Sequence, residues 1–280
     1  MSAVATSLAP RERHGVGRLG EATQDSLTVV WRNLVGLART PQLLVFSTIQ
    51  PVIFVLMFRY VFGGAIKIPG GIPYVDYLMP GIFVQTVVFG SMGTAIGLAT
   101  DMQTGLLERF RSLPMARSAV LVGRTGADLS RNVFVAVLMA IVGFAVGFRV
   151  HTNLIEFLGG MGVVLLFGYA FSWIFATVGL AVGNPETAQA AAFPVMAPLV
   201  FASSAFVDPR SMPHWLAVWA RNQPVSATAN AVRALAGSYP VPPGTIPPST
   251  VSLVLKAVAW CVGILVVFAP IAVRRYRKAV

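Results

Sequence analysis

Charged residues are scarce in this chain, at 11% of 280, against roughly a quarter in soluble domains. Beside an apolar fraction of 56%, that scarcity excludes an ordinary soluble globule and identifies an integral membrane protein. Acids are the scarcer sign, with 10 Asp and Glu against 21 Lys and Arg, for a formal net charge of +11. The excess does not mark a nucleic-acid partner, because the basic residues flank apolar runs and form no single patch. The one cysteine, Cys261, lies inside an apolar run, which excludes a disulfide framework and a thiolate metal site. The three histidines, His14, His151 and His214, all fall outside the apolar runs. An intramembrane serine protease would need a Ser–His pair at membrane depth, and none is available. No HExxH occurs, and Glu156 and Glu186 stand apart near run boundaries, so neither a metal site nor a carboxylate dyad is indicated. No Gly-Lys dipeptide occurs either, so the phosphate-cradling loop GxxxxGK[ST] is missing.

What the chain has is apolar length. Six runs approach or exceed the ~20 residues a bilayer requires: about 43–62, 78–100, 126–148, 155–182, 188–206 and 252–273. The fold class expected is therefore an all-α polytopic membrane protein with six transmembrane helices. Pro51 in the first run predicts a kink, and Arg59 lies close enough to its end to snorkel outward. Pro194 and Pro198 predict a bent or broken fifth span. Residues 1–22 are polar, with Arg11, Arg13 and Arg18 but no apolar core; they read as a disordered cytosolic tail, not a signal peptide. Orientation follows from arginine and lysine bias. With the N-terminus inside, thirteen cations lie on the cytoplasmic side and six (Lys67, Arg149, Arg210, Arg221, Arg233 and Lys256) on the other. Both termini are then cytoplasmic, in a cell-membrane protein.

Two polar segments carry helical periodicity. From Thr23 to Arg39, apolar residues at Leu27, Val30, Leu34 and Leu37 alternate with Arg32, Asn33 and Arg39. This predicts an N-terminal amphipathic helix on the membrane surface, with Trp31 at the interface. Between the second and third runs, Leu106, Phe110 and Leu113 recur at spacings of four and three, with Glu108, Arg109 and Arg111 around them and Pro114 as the stop. Such a short helix fits a groove on a soluble partner; spacing alone fits a loop lying on headgroups equally well. Arg117 and Arg124, just beyond, are expected at headgroup level, where charge alone suffices. Before the last run, Pro213-His214-Trp215-Leu216 predicts a helix whose Trp215 and Trp219 sit at the outer interface. Ser226 is expected to cap a second helix, which ends at Gly237.

Inside the membrane, Asp128 and Arg131 stand three apart and pair on one face. A secondary transporter or channel centred on Asp128 is the alternative from a different class. Gly93/Gly97, Gly143/Gly147 and Gly179/Gly183 form GxxxG pairs, which fit internal packing or a dimer. Gln50, Phe54, Gln85, Phe89 and Met92, with Ser91 and Thr94, make a mixed lining suited to an amphiphilic substrate path; simple helix contacts would account for any one of them.

The string Glu108-Arg-Phe-Arg-Ser-Leu-Pro-Met115, with Gly105, Arg117 and Gly123-Arg124 around it, resembles the permease subunits of ABC type-2 transporters. More narrowly it resembles the daunorubicin/doxorubicin-resistance exporter permeases of actinobacteria. Pro213-His-Trp-Leu, Asn222-Gln-Pro-Val-Ser226 and Val232-Arg-Ala-Leu-Ala-Gly237 resemble the same group. The resemblance implies that Leu106, Glu108, Arg109, Phe110, Arg111, Leu113 and Pro114 form a cytoplasmic coupling helix docked on a separate ATP-binding subunit. It implies that the Thr23–Arg39 helix touches that subunit too, and that the two helices before the last span are re-entrant. ATP and magnesium would be bound by the partner, with no cofactor on this chain, and a second permease, like or unlike, would complete the complex. The substrates implied are hydrophobic or amphiphilic drugs, antibiotics or lipids, with export of a lipid-linked glycan as the alternative.

Overall fold

The computed structural model describes residues 41–66, 68–105 and 117–279, and among them every regular element is a helix. Helix α1 (Pro41–Leu56) runs directly into a π-helical stretch (Met57–Phe62). Then come α2 (Tyr74–Gln103), α3 (Arg117–Val146), α4 (Leu154–Val182), α5 (Pro185–Phe201), α6 (His214–Asn222), α7 (Pro224–Ala236) and α8 (Thr250–Ala279). Four of these are long and apolar enough to cross a membrane: α2, α3, α4 and α8. The tail 1–22, the 23–39 segment with Trp31, Arg32, Asn33 and Arg39, and the whole of 106–116 lie outside the described residues.

Local sequence explains the joints. Asn153 caps α4: its side-chain oxygen accepts from Glu156 N–H at 2.8 Å, and its side-chain amide donates to the Glu156 carboxylate at 3.2 Å. Gly183 closes α4 in the left-handed conformation at φ 69°. Asn184 then accepts from the N–H groups of Glu186 and Thr187, with Pro185 at the first helical position. Three consecutive residues thus stop one helix and start the next.

Some expected boundaries move. The fifth segment is neither broken nor as long as expected. Its helix passes through Pro194 and Pro198 and stops at Phe201, because the N–H of Ala202 closes on Pro198 O and the chain then turns irregular. In the first segment the helix passes through Pro51, which itself donates no backbone hydrogen bond, and a π-helical stretch follows at Met57–Phe62. Ser226 does not cap α7. Pro224 occupies the first turn, where its missing N–H is no loss, so the helix starts there, and Ser226 Oγ instead accepts from Ser204 N–H at 2.9 Å.

Helices α2 and α4 form the buried centre and run parallel. Ser91 on α2 donates to Gly168 O of α4 at 2.9 Å. Farther along, a methyl at Gly179 would come within 2.8 Å of the Ala95 Cα, so the small residue sets how closely these backbones approach. Its partner Gly183, like Gly147, is a positive-φ residue at a helix end. On the periphery, α3 exposes Val133, Phe134, Val137, Ile141 and Phe144, and α8 exposes Val251, Leu255, Val262, Val266 and Val267. An apolar surface this extensive belongs against lipid, since in water it would drive association.

At the end of the bundle away from residues 106–116, one buried cation ties three elements together. Arg233 of α7 is fully buried. Its Nε donates to Tyr77 O at 2.9 Å, and Nη2 donates to Ser204 O at 2.7 Å and Ala205 O at 3.0 Å. Its guanidinium lies 3.6 Å from the centre of the Tyr77 ring, and the Tyr77 hydroxyl donates to Ser204 O at 2.8 Å. Nearby, the buried Asp76 accepts from Arg149 N–H at 2.8 Å and pairs with His151 Nε2 at 3.0 Å.

Candidate functional site

Helices α1, α2 and α3 enclose a cleft of about 160 Å³. Gln50 and Pro51 line it from α1; Gln85, Thr86, Phe89, Gly90, Met92 and Gly93 from α2; Arg131, Asn132 and Val135 from α3. Four of the five residues expected along a substrate path therefore meet here: Gln50, Gln85, Phe89 and Met92. Phe54 does not belong to the lining. It packs with Phe58, Phe201 and Phe206 at ring separations of 6.0 to 6.2 Å, in an aromatic stack that fastens α1 to α5 and the loop after it. Ser91 and Thr94 make helix contacts instead. The Gln85 carbonyl oxygen is buried without a hydrogen-bond partner, leaving an unused acceptor in the wall of the cleft.

A polar ladder between α2 and α3 connects this cleft to the ends of the two helices that flank residues 106–116. On α3 the side chains of Arg124, Asp128 and Arg131 recur at spacings of four and three, and so share a face. Each meets a glycine or a small polar residue on α2, which runs antiparallel to it. Arg124 lies over Gly97 and reaches Asp101, Nη1 to Oδ2, at 3.2 Å. Asp128 accepts a short hydrogen bond from Thr94 and faces Arg131 at 3.4 Å. Arg131 lies over Gly93 and donates to Gly90 O, while Asn132 covers Gly90. Three glycines thus make a channel for long side chains, and two cations balance two acids. Balance matters because an unpaired ion away from water is strongly disfavoured. Arg124, expected at headgroup level, pairs with Asp101 of α2. Asp128 is engaged by Thr94 and Arg131, as its spacing to Arg131 suggested.

Sequence reasoning missed Arg131 and Asn132 as lining residues. The signal was present: Arg131 shares a face with Arg124 and Asp128, and Gly90, Gly93 and Gly97 mark the groove that receives them. The residues expected to dock on a partner, Leu106 to Pro114, fall in the undescribed segment. Its flanks, Gly105 with φ +66° and Arg117, end the two helices that the ladder clamps.

A family model described as ABC-2 type transporter matches residues 24–236. The chain is 35% identical over 257 residues to a daunorubicin resistance ABC transporter permease protein of Streptomyces coeruleorubidus, covering 92% of this chain and 87% of that one. It is 29% identical over 162 residues to a doxorubicin resistance ABC transporter permease protein of Mycobacterium tuberculosis, covering 58% and 56%. It is also 28% identical over 234 residues to a probable doxorubicin resistance permease of the same species, covering 83% and 81%.

Proposed function

Because the chain belongs to the ABC-2 type transporter family, we propose that it is the membrane-spanning permease of an ATP-driven exporter, energised by an ATP-binding subunit on a separate chain. Its cargo is a hydrophobic or amphiphilic drug, antibiotic or lipid. The observation that carries this reading is the ladder that joins the cleft to the ends of α2 and α3 at Gly105 and Arg117. Nucleotide-driven movement of the partner enters at the coupling helix, where Leu106, Phe110 and Leu113 dock and Glu108, Arg109 and Arg111 orient the contact. The 23–39 helix gives a second foothold. The ladder holds α2 and α3 as one lever, so displacement at the loop reaches Gly90, Gly93, Arg131 and Asn132 in the cleft wall. The cleft offers Phe89 and Met92 to an apolar body, and Gln50 and Gln85 to its polar groups.

The topology proposed is six spans with both termini in the cytosol, supported by the bias of thirteen cations to six. Helix α1 and the π-stretch, contiguous over 41–62, extend about 33 Å at ~1.5 Å per residue. Helix α5, with 17 residues, reaches about 26 Å and spans with help from the irregular turn after it. A second permease, like or unlike, completes the transporter. The test is accumulation of doxorubicin, followed by its own fluorescence, in source cells with and without the chain. The account expects higher accumulation without it. Equal accumulation of doxorubicin and of a panel of other amphiphiles contradicts export.

A further inference from the structure

Cations are kept away from the side of a membrane protein opposite the cytosol, yet four of the six assigned there by sequence converge on one cluster. At the end of the bundle away from residues 106–116, a cavity of about 290 Å³ opens between Arg210, Arg221, Asn230 and Tyr239. Arg233 lies buried beneath it, in contact with the lining residues Tyr77, Ser204 and Asn230. Lys256 Nζ donates to Arg221 O at 3.3 Å on its flank. Asp208 is the acid in the lining, and it is occupied with Arg210: one oxygen accepts from Arg210 N–H at 3.0 Å and the other lies 3.9 Å from Nη1. Asp76 is engaged by Arg149 and His151. Positive charge is therefore left in excess.

The polar groups available to a guest are donors, except Asp208 Oδ2, a buried acceptor without a hydrogen-bond partner whose charge the Arg210 guanidinium offsets at 3.9 Å. Asn230 Oδ1 is taken by Arg233 Nη1 at 2.8 Å, with Ser204 Oγ at 3.4 Å, so the amide NH2 is what remains for the cavity. With the Arg210 and Arg221 guanidiniums and the Tyr239 hydroxyl, this makes a site for an acceptor-rich anion. The depth is fixed by α6, whose Trp215, Val218 and Trp219 share one exposed face while Ala217 and Ala220 are buried on the other. Tryptophans so placed sit at headgroup level, which sets the cavity mouth among lipid phosphates.

We propose that this cavity binds a phosphate group, carried by an anionic phospholipid of the surrounding leaflet. That the leaflet is the outer one rests on the orientation proposed above; the binding does not. An occupied site would tie the α6–α7 hairpin to the bilayer at the face away from the coupling helix.

The test is native mass spectrometry of the full chain, purified in mild detergent and supplied with phosphatidylglycerol or phosphatidylcholine, each with and without millimolar inorganic phosphate. Wild type should retain phosphatidylglycerol preferentially. The pair Arg210→Gln with Arg221→Gln should weaken that retention roughly 20- to 30-fold, at about fivefold per cation near an anionic surface. Both side chains are exposed, so the protein should still fold; Arg210→Lys with Arg221→Lys, which keeps the charge, should retain the lipid. Retention that survives inorganic phosphate assigns the site to the lipid headgroup, and displacement by it assigns the site to a free phosphate anion. Equal retention of the two lipids, or retention unaltered in the Gln pair, overturns the proposal. Co-elution of an ATP-binding chain is scored in the same eluate, so failure here is distinguishable from failure of the exporter reading.

Discussion

Replacing Arg233 with methionine removes a buried cation while keeping much of the side-chain volume. Three backbone carbonyls, of Tyr77, Ser204 and Ala205, then lose donors now at 2.7 to 3.0 Å. Each orphaned buried acceptor costs about 1–2 kcal/mol, although Ser204 O keeps the Tyr77 hydroxyl. The lost cation–ring contact, at 3.6 Å, adds about 1 kcal/mol. Relief from holding a cation away from water offsets part of this, and the net loss is about 2–3 kcal/mol. For a chain of this size that lowers the thermal midpoint by roughly 5–10 °C, read by tryptophan fluorescence in detergent. Arg233→Lys keeps the charge but not the fork that serves three carbonyls at once, so its midpoint should fall between the two. A midpoint for Arg233→Met within about 2 °C of wild type, less than 1 kcal/mol, would refute the claim that this cation holds α7 against α2.

Reversing one end of the ladder, as Asp101→Arg or Arg124→Asp, should reduce export severalfold by juxtaposing like charges; the double exchange should restore much of it. Drug accumulation in cells checks both, and an exchange no better than either single variant would mean the ladder is not a pairwise contact. Gly179→Val should destabilise the bundle by about 1–3 kcal/mol, because the Ala95 backbone it meets cannot rotate aside; a thermal melt reads it directly. Phe110→Ala should uncouple export at unchanged expression, since a buried docking anchor is typically worth ~2 kcal/mol or more. Normal export by that variant would move the coupling site elsewhere.

Much of this arrangement was legible in the sequence because lipid acts as a coarse solvent. Apolar runs of fixed length gave α2, α3, α4 and α8, and Gly237 marked the end of α7, where its N–H closes on the carbonyls of the last turn. Where two local signals competed, the pattern was less decisive. Ser226 and Pro224 both mark a helix start, and proline prevailed because its ring fixes the backbone whereas the serine hydroxyl found Ser204. The cleft was half legible: Gln50, Gln85, Phe89 and Met92 carry the mixed character of a path, but Phe54 looks identical in sequence and stacks elsewhere. The least legible feature was long-range. Arg233 reads as a surface cation on a short helix, and only the fold brings the carbonyls of residues 77, 204 and 205 around it.

The central claim, that another chain supplies the ATP chemistry, is tested most directly by affinity purification of the full tagged chain in mild detergent, with mass spectrometry of what co-elutes in stoichiometric amount. The account predicts a partner carrying GxxxxGK[ST], present with wild type and lost with Phe110→Ala. If the chain elutes without such a partner across several detergents, the exporter account is contradicted.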